Sequence, residues 1–347
     1  MINAGEFKGK VIALVGGAGF IGHNLALELK ALGAEAHVID GLQVNNLGAF
    51  TSGVTPNPNN NLYVGFINLR LEALRRARIP LHIIDARDYH ILSSCISSIK
   101  PDVIIHLAAV AHANRSNKDP LSTFDHSMRT LENALDSVKD RKPHFIYLSS
   151  SMVYGNFEGD AVTEDRCCEP MGIYGALKYG AEKMVIAYSQ VFNLPYTIVR
   201  PSALYGERCV SRRVGQAFIE NAIRGKSLTI NGDGTEGLDF TYIKDLCQGV
   251  LRCIARPEAR SQVFNITYGG ARALNDLAQL MIEHFPGLQV TYNPRDALMP
   301  ERGTLSIEKA RRLIGYEPAY PVDKGFVRYI QWYKQLADAQ PELFREE

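Results

Sequence analysis

Val11-Ile12-Ala13-Leu14-Val15-Gly16-Gly17-Ala18-Gly19-Phe20-Ile21-Gly22 is the stretch on which the reading of this chain turns. Five apolar residues without polar alternation have the length and character of a strand buried on both faces. The glycines that follow leave the backbone free to turn tightly, and residues 21–32 then read as a helix. From Gly16 the turn is GxxGxxG; from Gly17 it is also GxGxxG. Such a strand–glycine–helix unit lets the backbone approach a pyrophosphate, which then rests on free N–H groups at the helix N-terminus. Gly16, Gly19 and Gly22 are therefore expected to bind a cofactor, with Phe20 and Ile21 at the opening of the helix. Asp40, eighteen residues beyond Gly22, stands at the end of a second strand and is placed to accept hydrogen bonds from a ribose diol. A carboxylate there repels a 2′-phosphate, so NAD is expected over NADP.

The alternation of short β-branched runs with amphipathic stretches continues downstream. Further strands are expected over residues 36–39, 81–84, 103–107, 145–148 and 197–199, and further helices over 89–99, 120–138 and 174–192. The pattern is that of an α/β protein, a Rossmann-type doubly wound parallel sheet covered by helices. After Arg200 the regularity breaks around Gly206, Gly232, Gly234 and Gly237, as expected of a smaller, mixed α/β C-terminal substrate domain. The expected division is an NAD-binding domain of residues 1–200 plus about 240–256, and a substrate-binding domain of about 201–239 and 257–347. Residues 41–61, rich in Asn, Gly and Pro, read as a long solvated surface loop.

Composition narrows the function class. The 347 residues carry 38 Lys+Arg against 37 Asp+Glu, so the broad basic field of a nucleic-acid binder is missing. No run is apolar enough for a membrane span, and the N-terminus, MINAGEFKGK, lacks a secretory pattern. The spacing of Cys95, Cys167, Cys168, Cys209, Cys247 and Cys253 contains no CxxC pair, and the nine histidines are scattered, so no metal site is expected. The expectation is an enzyme of a reducing cytoplasm.

Tyr174-Gly175-Ala176-Leu177-Lys178 puts a phenol and an ammonium four residues apart, on one face of a helix. A phenol acting as a base near neutrality needs its pKa brought down from about 10, and a nearby cation favours the phenolate. Ser149-Ser150-Ser151 ends a strand upstream. With the glycine turn, these segments make the chain resemble the extended short-chain dehydrogenase/reductase family, in its NAD-dependent nucleotide-sugar epimerase/dehydratase branch. The resemblance runs from about Val11 to beyond Arg302 and includes Asp85-Ala86-Arg87-Asp88, His106-Leu107-Ala108-Ala109, Met152-Val153-Tyr154-Gly155, Thr163-Glu164-Asp165, Arg200-Pro201 through Tyr205-Gly206, and Gly232-Asp233-Gly234.

The resemblance implies roles residue by residue. Gly16, Gly19 and Gly22 would cradle the pyrophosphate, Asp40 the adenosine ribose, Asp85 and Ala86 the adenine, while Ala108 and Ala109 pass close to the cofactor. Tyr174 would take the proton of a sugar hydroxyl and also touch the cofactor, and Lys178 would lower its pKa and hold the nicotinamide ribose. The catalytic hydroxyl lies four residues before the tyrosine of the VYG segment, at Ser150. The shared chemistry is oxidation of a sugar carbinol, usually at C4. Dehydratases follow their catalytic hydroxyl residue with an Asp-Glu pair, where this chain has Ser151-Met152. Epimerisation through a transient 4-keto sugar is the favoured expectation. A 4-dehydrogenase or 4-ketoreductase with net cofactor turnover, or a silent nucleotide-sensing protein, is the alternative.

On the substrate side, Ser150, Ser151, Tyr174, Ala203, Arg208 and Arg302 are the expected contacts with a nucleotide-diphosphate sugar. The sequence departs from the family at two diphosphate contacts, with Ala203 in place of an Asn and Leu238 in place of an Arg. Arg302 matches a downstream family arginine, and Arg208, Arg212 and Arg213 are the candidates to compensate. The family also implies a homodimer built on helices 120–138 and 174–192.

Overall fold

Seven parallel strands build the main sheet, and their order decides where a ligand can lie. In the computed structural model, which describes residues 2–51, 59–111, 113–157, 159, 161–295 and 299–345, the first six are β1 (Val11–Val15), β2 (Glu35–Asp40), β3 (Leu81–Ile83), β4 (Val103–His106), β5 (His144–Leu148) and β6 (Tyr196–Arg200). Short strands β7 (Leu204–Tyr205), β8 (Leu228–Asn231), β9 (Gly237–Leu238) and β10 (Thr241–Tyr242) follow, and β11 (Gln262–Asn265) returns to the sheet before β12 (Arg272–Ala273) and β13 (Val290–Asn293). The order is β11-β6-β5-β4-β1-β2-β3. The direction of winding reverses between β1 and β4, which opens a crevice at their C-terminal ends. Val15 is paired with Ile39 on one side and His106 on the other, so the ends of β1, β2 and β4 lie side by side.

Helices α1 (Phe20–Ala31), α2 (Leu47–Thr51), α3 (Asn60–Arg76), α4 (Tyr89–Ile99), α5 (Ala113–Lys118), α6 (Pro120–Phe124), α7 (Thr130–Asp136) and α8 (Gly172–Phe192) belong to the first part of the chain. The later ones are α9 (Val214–Ile223), α10 (Ile243–Ala255), α11 (Leu274–His284), α12 (Glu308–Ile314) and α13 (Val322–Ala339). Alternate residues of β1 explain the layering. Ile12 and Leu14 enter one core with Leu25 and Leu29 of α1, Phe66 of α3 and Leu246 of α10. Ala13 and Val15 enter the other, with Leu92 of α4, Leu131 of α7 and Val185 of α8. No helix among the described residues is long and apolar enough to cross a membrane.

The six expected strands are present to within a residue or two, but three expectations change. β11 lies within the stretch expected to start the substrate domain at about 257, yet it pairs with β6 along Gln262–Asn265 in the main sheet. The loop expected over 41–61 holds α2 and the first two residues of α3, and its residues 52–58 lie outside the described ones. Its Asn and Pro content masked a helix whose buried residues, Leu62, Tyr63, Phe66, Ile67, Arg70 and Leu74, recur at helical spacing. Phe66 packs its ring 5.1 Å from Trp332 and 5.6 Å from Tyr333 of α13. The helix expected over 120–138 is interrupted by one π-helical turn, Asp125–Arg129, between α6 and α7. That extra residue per turn redirects the wall it forms, and His126 and Thr130 face the crevice.

Candidate active site

The crevice between β1 and β4 is lined by Gly16, Gly19, Phe20, Ile21 and Gly22 on one wall and by Ala108 and Ala109 on the other. Gly16 adopts φ +80°, and a Cβ there would stand 2.6 Å from the Ala108 amide nitrogen. Only glycine lets these two backbones meet. A Cβ on Gly22 would stand 2.5 Å from Gly17, so the third glycine seats α1 against its own turn. Asp40 lies at the floor, its Oδ2 accepting from the Ala18 amide at 2.9 Å and its Oδ1 from the Leu42 amide at 2.7 Å. Burial pushes its carboxyl up from the usual range, while those two amides and the Arg70 charge pull the other way. Each oxygen keeps a lone pair for a ribose hydroxyl. Farther along, Asp85 is gripped by Arg87, whose Nη2 donates at 2.6 Å and holds the carboxyl down to about 2. Asp85 and Ala86 line that end of the crevice. Glycine cradle, acid and small-residue wall together fit a dinucleotide.

The catalytic candidates share one helix face and one strand end. Tyr174, Lys178 and Glu182 follow each other at four-residue intervals along α8. Lys178 Nζ donates to the Leu148 carbonyl at 2.6 Å and stands 4.8 Å over the Tyr147 ring. Burial brings its ammonium down to about 8, against the opposing pull of Glu182. The serine run divides by function. Ser149 Oγ donates to Glu182 at 2.5 Å, and Glu182 also accepts from Arg200 Nη2 at 2.6 Å and Nε at 2.9 Å. This buried network pins the end of β5 to α8. Ser150, in extended backbone, caps the short turn that follows, its Oγ accepting from the Met152 amide at 3.2 Å. Ser151 receives Arg302 Nη2 instead. Glu182 is not among the site residues expected from the sequence, although it stands eight residues beyond Tyr174 on the same helix face.

Arg302 comes from the far end of the chain and meets this strand end directly. Its Nη2 reaches Ser202 Oγ at 3.2 Å as well as Ser151, Nη1 lies against the Met152 sulfur, and its guanidinium covers the Phe157 ring at 5.0 Å. Its buried Nε has no partner among the described residues. The other expected contacts divide. Ala203 sits close by with φ +37°, and Leu238 packs against the main core. Arg208, an expected substrate contact, turns away from that position. Its Nε donates to His23 Nε2 at 3.2 Å, and His23 Nδ1 in turn donates to the Gly19 carbonyl at 2.9 Å. Arg212 faces Glu220 at 3.5 Å. Arg213 lines the crevice beside Ala111, whose carbonyl accepts from its Nη2 at 3.4 Å.

Comparison with known proteins gives the geometry a context. A sequence model of the NAD dependent epimerase/dehydratase family matches residues 12–267. The chain is 28% identical to a protein of Bacillus subtilis described as the uncharacterized UDP-glucose epimerase YtcB, over 94% of this chain and 98% of that one. It is 27% identical to a probable UDP-glucuronate 4-epimerase of Rhizobium meliloti, covering 93% and 96%. Among solved structures, the UDP-glucuronic acid 4-epimerase of Bacillus cereus, in complex with UDP-glucuronic acid and NAD, is similar with a TM-score of 0.82 and 26% identity, covering 94% of this chain and 99% of that one.

Proposed function

We propose that this chain, which belongs to the NAD dependent epimerase/dehydratase family, is a nucleotide-sugar 4-epimerase that works through transient oxidation at C4. The observation that carries the reading is the α8 row, in which Tyr174 and the buried Lys178 stand one turn apart beside the strand end bearing Ser150. Tyr174 accepts the proton of the C4 hydroxyl, assisted by the ammonium one turn along the helix. Ser150 donates a hydrogen bond to the same oxygen and orients it. The chemistry NAD supplies when bound is a reversible hydride store at the nicotinamide. Lys178 also holds the nicotinamide ribose. Ser151-Met152 offers neither acid nor base for elimination of water, and the Met152 sulfur is covered by Arg302.

The names of the relatives support a uridine-diphosphate hexose or hexuronate as substrate. For its diphosphate, Arg302 and Arg213 are the cations that the second half of the chain presents, while Arg208 is engaged with His23. The unit that holds NAD comprises residues 1–200 together with the return through α10 and β11, and the remaining segments hold the substrate. Exposed Leu121, Phe124, Ile173 and Val191 on α6 and α8 support a homodimer formed through these helices, readable by light scattering. Six free thiols suit a reducing cytoplasm.

The test is to incubate the purified protein with UDP-glucose or UDP-glucuronate and follow products by NMR. The C4 epimer forming without added cofactor and without NADH accumulation is the expected result. NADH rising in step with a keto product would make it a net dehydrogenase, and conversion of no nucleotide sugar would favour a sensor.

A further inference from the structure

Arg70 of α3 is a buried cation that the catalytic reading leaves without a task. Its side chain is fully buried, and it lines the crevice together with Gly16, Gly19 and Asp40. Nε donates to the Arg208 carbonyl at 2.9 Å, and Nη2 donates to the same oxygen. Nη1 is equally buried and has no partner among the described residues. Asp40, an acid lining the same crevice, forms no ion pair with it among those residues, since its oxygens face the Ala18 and Leu42 amides. A guanidinium taken out of water without a carboxylate is costly, and the cost is offset when an anion completes the site.

The surroundings say which anion. Arg208, whose carbonyl fixes Arg70, reaches His23, and His23 is bonded to the Gly19 carbonyl in the glycine turn. Asp40 is bonded to Ala18 in the same turn. Arg70 therefore occupies the corner between the turn, which suits a pyrophosphate, and Asp40, which suits ribose hydroxyls and repels phosphate. The helix cannot easily withdraw it. Phe66 is packed against Trp332 and Tyr333, and the Tyr63 hydroxyl donates to Glu220 of α9 at 3.0 Å.

We propose that Arg70 is a cofactor-binding residue whose Nη1 donates to the pyrophosphate of the bound dinucleotide, adding a cation to a cradle otherwise made of backbone amides. The inference rests on the NAD reading but not on the sugar or the reaction. Calorimetric titration of nucleotide-stripped protein with NAD+, ADP-ribose, adenosine and NADP+ tests it. Arg70→Met is expected to weaken NAD+ and ADP-ribose alike, by roughly tenfold to a hundredfold, as for loss of a charge-assisted hydrogen bond. Adenosine, lacking the phosphates, should lose less than about threefold on the same grounds. Equal losses for adenosine and ADP-ribose would reduce Arg70 to scaffolding and overturn the proposal. A loss confined to NADP+ would put the guanidinium at the ribose and overturn it too. Wild type binding neither NAD+ nor ADP-ribose would remove the cofactor reading itself. Should Arg70→Met not fold, Arg70→Lys should show the same ranking of ligands. A crystal structure with NAD+ decides independently: Nη1 within hydrogen-bond distance of a pyrophosphate oxygen is expected, and Nη1 on ribose or water contradicts it.

Discussion

The two sides of the crevice are built on different plans. On the side proposed for the cofactor, the walls are mostly backbone at the ends of β1, β2 and β4, set by the register of one sheet, with the Asp40 and Arg70 side chains beside them. Gly16 and Ala108 approach so closely that no side chain fits between them. On the side proposed for the substrate, the groups that reach in are the ends of long cations, Arg302 and Arg213, carried on loops. Tyr174, Lys178 and Glu182 stand where the plans meet, on a helix bolted to the sheet by a buried ion pair. A site of this kind keeps its chemistry rigid and leaves substrate choice to parts that can change without disturbing the sheet.

If that contrast is right, substitutions should do most damage at the junction and least on the loops. Tyr174→Phe should cut kcat about a thousandfold, within the range for loss of a general base, with NAD+ affinity unchanged. Retained turnover would remove Tyr174 from the mechanism. Glu182→Ala takes from the buried Arg200 its carboxylate partner and frees Ser149, so unfolding free energy should fall by roughly 3–5 kcal/mol, measured by urea denaturation. A loss near zero would show that the junction is not rigid.

Lys178 gives a subtler reading of the same junction. Burial lowers its folded-state pKa from 10.5 to about 8, so below pH 8 the folded protein carries an ammonium that the unfolded chain solvates better. That penalty fades as pH rises from about 8 to 10.5, because the folded protein has shed its proton while the unfolded chain still holds its own. The stability of Lys178→Met relative to wild type, without cofactor, should therefore fall by about 3 kcal/mol between pH 7 and pH 10.5. A difference that stays flat would contradict the buried charge. Smallest are the loop effects: Arg213→Gln should raise KM for the nucleotide sugar by about tenfold with kcat little changed. Arg212→Gln, on a side chain directed at Glu220, should leave KM alone.

The same contrast explains what the sequence could disclose. The glycine turn, Asp40 and the Tyr174–Lys178 pair depend on local geometry, one strand, one turn, one helix face, and local geometry is written in spacing. The expected strands lie where the structure has them for the same reason. β11 was missed because Gln262–Asn265 becomes a strand by pairing with β6, a partner more than sixty residues away. Arg70 was missed because the Asn- and Pro-rich stretch before α3 drew attention to a loop, although the helical spacing beyond it was readable. The direction of Arg208 toward His23 was not readable at all, since a φ of +65° at that residue and a contact across the fold decide it. Side chains on loops answer to tertiary neighbours, and those have no signature in spacing.

The central claim is that hydride leaves C4 and returns to the same carbon on the opposite face. Its most direct test is turnover of a UDP-hexose or UDP-hexuronate deuterated at C4, with no cofactor added, followed by NMR and mass spectrometry. The account predicts the C4 epimer with the deuterium still on C4 and no net NADH. Deuterium lost to solvent, or recovered on accumulating reduced cofactor, would contradict it.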